Sequence, residues 1–140
     1  MNDLQKTPVY IRHDTQRPQY VPFPTFLVDY PLSTTAQMLY AHLLNRALLS
    51  QKNGWADKEG RVYILFPEAE IGAEIHRGLT TVKSALRALE KVGLIEKAPH
   101  PHSSVNRIYV KIVPDTKMRK KKRAVNPGIR DYSYEGEDSL

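Results

Sequence analysis

The sequence predicts an α+β domain of three helices and a small antiparallel sheet, flanked by a proline-rich arm and a charged tail. Three observations lead there. Apolar residues recur at helical spacing in three separate segments. A run of β-branched and aromatic residues lies between the first two segments, and two short apolar runs joined by a turn follow the third. The 140 residues are 41% apolar and 26% charged, enough for one core in a domain of the common size.

Residues 1–31 hold Pro8, Pro18, Pro22, Pro24 and Pro31, and proline both lacks an amide donor and restrains its neighbour. The segment is therefore read as an N-terminal arm, loose up to residue 18 and then extended. Its apolar stretch from Tyr20 to Val28 is expected to pack on the core or on a second subunit.

Ser33 or Thr34 is the expected N-cap of the first helix. Ala36, Leu39, Tyr40, Leu43, Leu44, Ala47 and Leu48 then form one apolar stripe, and Asn53-Gly54 ends the helix. A turn at 55–60 leads to a strand over 61–66, with Trp55 and Tyr63 expected as core anchors and Asp57 and Glu59 as solvated loop carboxylates. Pro67 suits the first turn of a short second helix, where Glu68 and Glu70 meet the positive end of the dipole and Ile71 and Ile75 face inward. The turn His76-Arg77-Gly78 follows, with Gly78 expected at positive φ.

A third helix runs from Leu79 or Thr80 to Val92, burying Val82, Ala85, Leu86 and Leu89, and Gly93 caps it. Leu94–Ala98 reads as a strand, residues 99–104 as a tip, and 105–112 as a second strand. In that strand Ile108, Val110 and Ile112 alternate with Arg107, Tyr109 and Lys111 on a wet face. After Pro114 apolar periodicity stops. Residues 114–140 read as a disordered tail, basic over 117–123 and acidic at Asp131, Glu135, Glu137 and Asp138.

Helix, strand, helix, turn, helix and hairpin, in that order, make a winged helix-turn-helix over residues 32–113, whose third helix is built to enter a DNA major groove. On that helix Thr80, Thr81, Lys83, Ser84 and Arg87 lie opposite the apolar stripe. Hydroxyls near its start suit phosphate, and arginine offers a two-pronged donor to guanine. Arg77 in the turn and Arg107 and Tyr109 on the hairpin are further DNA-contact candidates. A helix exposing such residues is on its own an ordinary solvated helix. The element order, together with 21 Lys+Arg against 15 Asp+Glu and a net charge of +6, favours double-stranded DNA as partner. Lys117, Arg119, Lys120, Lys121, Lys122 and Arg123 are expected to add phosphate contacts without sequence preference.

The chain resembles the N-terminal domain of RepA_N-type plasmid replication initiators over about residues 20–112. The resemblance rests on Leu32–Tyr40, on Leu49–Ile64 with its Lys52-Asn53-Gly54-Trp55-x-Asp57-x-x-Gly60 block, on Thr81–Glu90, on Gly93-Leu94-Ile95 and on Asn106–Lys111. It implies a dimeric winged-helix domain that binds repeated sites in a plasmid origin to start DNA replication. In two respects the chain differs from the family pattern. The wing tip is Pro99-His100-Pro101-His102-Ser103-Ser104 where members carry glycine-rich basic tips. Full-length members also have a C-terminal domain concerned with host replication proteins, so this sequence is expected to be a shortened relative or a fragment.

Other chemistry is weakly supported. His100-Pro101-His102 has a proline where a metal-binding His pair needs a regular strand, and no acidic third ligand is placed beside it. No glycine loop followed by lysine suggests a nucleotide, and no acid–base or nucleophile pairing suggests an enzyme. No cofactor is therefore expected. With no cysteine and no apolar run near the ~18 residues of a membrane span, a cytoplasmic protein without membrane contact is expected. The alternatives within this reading are an adaptor that uses the winged fold to hold a replication protein, and a transcriptional repressor.

Overall fold

The computed structural model describes residues 7–115, and the basic run 117–123 lies outside them. The elements are a 3-10 turn at Thr25–Asp29, α1 at Thr34–Lys52, β1 at Ile64–Leu65, α2 at Glu68–Ile75, α3 at Leu79–Lys91, β2 at Ile95–His100 and β3 at Ser103–Val110. The strands form one antiparallel sheet in the order β1-β3-β2, with Ile64 opposite Ile108 and Ile95 opposite Val110.

Ser33 is the cap of α1, its Oγ accepting from the Ala36 amide at 3.1 Å. The apolar stripe of α1 is buried from Ala36 to Ala47, but Leu48 is 47% exposed. Each i+4 step rotates by about 40° around a helix of 3.6 residues per turn, and three such steps carry Leu48 off the stripe that starts at Ala36. The core joins Leu39, Tyr40 and Leu43 of α1 to Ile71 and Ile75 of α2, Val82, Leu86 and Leu89 of α3, and Ile64, Phe66, Ile95 and Ile108 around the sheet.

The arm differs from the extended reading at its C-terminal end. Pro24 accepts from the Leu27 amide at 3.1 Å and starts the 3-10 turn, which drops Leu27 into the domain's own core. The Phe26 ring meets Tyr40 edge-on at 5.9 Å and Tyr30 at 6.2 Å. The Tyr40 hydroxyl donates to the Lys111 carbonyl, and burial, with Tyr30 beside it, pushes its pKa up to about 12. Phe23 and Val28 stay exposed.

The strand expected over 61–66 is only two residues long. Residues 56–62 instead close their own hairpin, with an Ala56–Val62 bridge, the Asp57 amide donating to the Arg61 carbonyl at 2.9 Å, and Gly60 at φ +82°. Trp55 is 51% exposed rather than a core anchor, and Tyr63 is half-buried on the sheet face turned away from the helices. At the other end β2 runs on to His100, past a register irregularity between Ala98 and His100 where Pro99 has no amide to give the ladder. The expected loop at 99–104 thus shrinks to the turn at Pro101-His102. Ile112, expected as an inward residue of β3, is exposed beyond the strand's end.

Candidate nucleic-acid interface

The turn between α2 and α3 sets α3 in place. Gly78 lies at φ −73°, and the residue at positive φ is His76, at +57°. His76 is the C-cap of α2, where the chain must reverse, so the left-handed conformation falls one helical end earlier than the glycine. Arg77 steadies that reversal by donating from Nη1 to the Ile75 and His76 carbonyls at 3.3 and 3.0 Å, which makes it a turn-stabilising group. The approach is tight. A Cβ on Gly72 would sit 2.7 Å from the Arg77 carbonyl oxygen, and the Gly72 carbonyl accepts the Arg77 amide at 3.0 Å.

Helix α2 is itself braced against α1. His42 Nδ1 and Arg46 Nη2 meet the Glu74 carboxylate at 2.6 and 3.3 Å, while the Arg46 guanidinium lies 3.9 Å over the Phe66 ring. Desolvation pushes the Glu74 pKa up, but the hydrogen bonds and charges of His42 and Arg46 outweigh it and hold it below the usual value.

Val82, Ala85, Leu86 and Leu89 fix α3 on the core, and Thr80, Thr81, Lys83, Ser84 and Arg87 are all exposed on its far side. The first amides of α3 carry no side-chain cap, which leaves donors at the positive end of its dipole open to solvent. Lys83 is not unaccompanied. Its Nζ lies 3.2 Å from Glu68 Oε1, and the other Glu68 oxygen is 3.9 Å from Lys97 Nζ on β2.

The hairpin candidates come out differently. Tyr109 is 9% exposed, so it is not on a wet face. Its hydroxyl donates to Asp57 Oδ2 at 3.0 Å and accepts from Arg107 Nη1 at 3.1 Å. Alternation placed Tyr109 correctly away from the helices, but the 56–62 hairpin covers that part of the sheet. Arg107 is half-buried with its guanidinium 4.7 Å over the Tyr63 ring, and its Nε is buried without a partner among the described residues.

Asp57, expected as a solvated loop residue, organises this corner. One oxygen accepts the Glu59 and Arg61 amides at 3.0 and 2.9 Å, and the other accepts Arg61 Nε at 2.9 Å and the Tyr109 hydroxyl. Desolvation pushes its pKa up, yet the Arg61 amide, the Tyr109 hydroxyl and the Arg61 guanidinium together bring it down to about 2. A signal was present in the sequence: an Asp three residues before a Gly marks a turn in which the carboxylate bonds nearby amides.

A helix-turn-helix with an antiparallel hairpin beside its last helix and a third helix behind defines the class of winged helix-turn-helix proteins. Residues 19–123 match the RepA_N family model, described as "Replication initiator protein A (RepA) N-terminus", and the chain belongs to that family. Among solved structures, "Structure of MDR initiator" is similar at 25% identity and TM-score 0.56, covering 78% of this chain and 91% of that one. "Structure of Rep-DNA complex" is similar at 22% identity and TM-score 0.58, covering 79% and 92%, and "N-Terminal domain of DNA binding protein" at 22% and 0.57, covering 86% and 100%. No curated protein sequence matches the chain.

Proposed function

We propose that this domain is the sequence-specific, non-catalytic DNA-binding part of a plasmid replication initiator, reading repeated origin sites with α3 in the major groove. One observation carries the reading: α3 is fixed to the core along one face and presents Thr80, Thr81, Lys83, Ser84 and Arg87 along the other. Arg87, exposed in mid-helix, has the fork geometry to grip guanine, while Thr80 and Thr81 beside the open amides suit a flanking phosphate. Lys83 contributes charge, and Arg77 acts by holding the turn. Tyr109 drops out as a direct contact. Membership of an initiator family and likeness to a structure described as a Rep–DNA complex support the same reading.

The domain acts as a homodimer, with the exposed arm residues Phe23 and Val28 facing the second copy. Such pairing doubles the number of reading helices, which suits repeated sites, and host replication proteins then assemble on the bound array. The test is selection from random duplexes at ~150 mM salt, where binding by charge alone weakens steeply. Enrichment of one motif, found as repeats in the source replicon, is expected. Retention of all duplexes alike would overturn the proposal.

A further inference from the structure

We propose that the sheet face turned away from the helices is a second nucleic-acid site, which takes unpaired single-stranded DNA by base stacking. The proposal does not depend on how α3 reads duplex DNA. On this face the aromatic rings form a connected row. Tyr63 packs at 6.0 Å from Tyr109 and 6.1 Å from His100, and His100 lies 6.0 Å from His102. Tyr109 is the buried floor, Tyr63 and His100 are half-exposed, and His102 is exposed at the tip.

Cations are interleaved with these rings. The Arg107 guanidinium sits 4.7 Å over Tyr63, and Arg61 sits 5.3 Å over Tyr109. The buried Arg107 Nε has no acceptor among the described residues, and a phosphate or base oxygen at this face can reach it after a small side-chain shift. Two exposed acids border this face, each already paired: Glu59 lies 3.3 Å from Arg61, and Glu96, opposite Tyr109 in the ladder, lies 3.3 Å from Lys111. The nearest buried carboxylate, Asp57, is already saturated by four donors.

Aromatic platforms beside fixed cations are the chemistry of single-strand recognition, since every base offers a face to stack and every nucleotide a phosphate. Duplex DNA does not fit that chemistry, because its base faces are hidden in the stack. The rings are tilted by 57–69° to one another, so each offers its face in a different direction, which suits an extended strand with room for two or three nucleotides on a sheet of this size. His100 is set for this role. Its Nδ1 accepts the His102 amide at 3.0 Å, which fixes the ring. A domain that binds duplex through α3 and an unpaired strand through the wing holds an opened strand beside intact duplex.

The experiment uses the full chain, a labelled dT12 oligonucleotide, an abasic phosphate chain of equal length and a 20-bp duplex. We expect dT12 to bind more tightly than the abasic chain. Tyr63→Ala, and separately the double variant His100→Ala with His102→Ala, should weaken dT12 binding about tenfold and leave duplex binding within twofold. Tyr63→Leu keeps the apolar packing and should lose dT12 binding similarly, which separates stacking from misfolding. Equal affinity for dT12 and the abasic chain would overturn the proposal, because charge alone then explains binding. So would parallel loss of dT12 and duplex binding in all three variants, because the wing then contacts duplex. Loss of duplex binding alone in Arg87→Ala supports both sites as separate. Failure of duplex selection with dT12 binding intact sinks only the reading of α3.

Discussion

The Glu68 carboxylate of α2 holds the Lys83 ammonium of α3 at 3.2 Å, and its second oxygen lies 3.9 Å from Lys97 on the wing. One anion thus pairs with two cations beside the exposed face of α3. A phosphate that engages Lys83 or Lys97 must compete with Glu68. Replacing Glu68 with Gln removes that competition. We expect tighter binding to all duplexes, by about tenfold at low salt, and a salt dependence steeper by up to about 1.8 in log–log slope if both lysines gain a phosphate. The specificity ratio should fall, since the added contacts do not read bases. A variant with unchanged slope would show that neither lysine touches DNA.

Asp57 makes the wing corner sensitive to acid. Its pKa is about 2 in the folded domain against the usual 3.8, so folding favours the ionised form. Its contribution to stability is complete above about pH 4 and is lost as pH falls through 2. Asp57→Asn should lower the thermal midpoint at pH 7 and flatten its decline between pH 4 and 2. Melting curves recorded across that range decide it, and parallel pH profiles for the two proteins would show that the Asp57 network contributes nothing.

The α2–α3 turn yields a pair of opposite substitutions. His76 occupies the left-handed region, where a residue with a Cβ is held at a cost of about 1–2 kcal/mol, so His76→Gly should leave stability unchanged or raise it by up to about 1 kcal/mol. Gly72→Ala places a methyl group against the Arg77 carbonyl and should destabilise by about 1–3 kcal/mol. Denaturant titration reads both. Equal effects in the two variants would contradict the positions assigned to the close approach.

The arm divides into a structural and an exposed half. Leu27 is completely buried, so Leu27→Ala should cost about 2–5 kcal/mol. Phe23→Ser with Val28→Ser touches only exposed groups and should leave folding intact while shifting the sedimenting species from dimer to monomer. An unchanged dimer would remove the arm from the interface.

Helix α3 is legible in the sequence because two local signals agree. Val82, Ala85, Leu86 and Leu89 keep helical period, and Gly93, at φ +84°, ends the helix where Lys91 and Val92 close it. Cap chemistry at Ser33 was equally local. What the sequence hid depends on contacts between distant residues. Tyr109 has the alternation of a solvent-facing residue, and only the arrival of Asp57, 52 positions earlier, covers it. Glu68 reads as an ordinary dipole-matching acid until the fold brings Lys83 and Lys97 to it. Glycine preference points to Gly78 for the left-handed residue, while the end of α2 takes that conformation at His76.

The central claim is that α3 reads bases, and Arg87 tests it most directly. Binding of wild type and Arg87→Ala should be measured at ~150 mM salt on the selected duplex, on single-base variants of it and on random duplex. We expect a loss of about 1–3 kcal/mol on the selected duplex, a much smaller loss on random duplex, and relaxed preference at one base position. An equal loss on every duplex, with preference intact at all positions, would contradict it and reduce Arg87 to a phosphate contact.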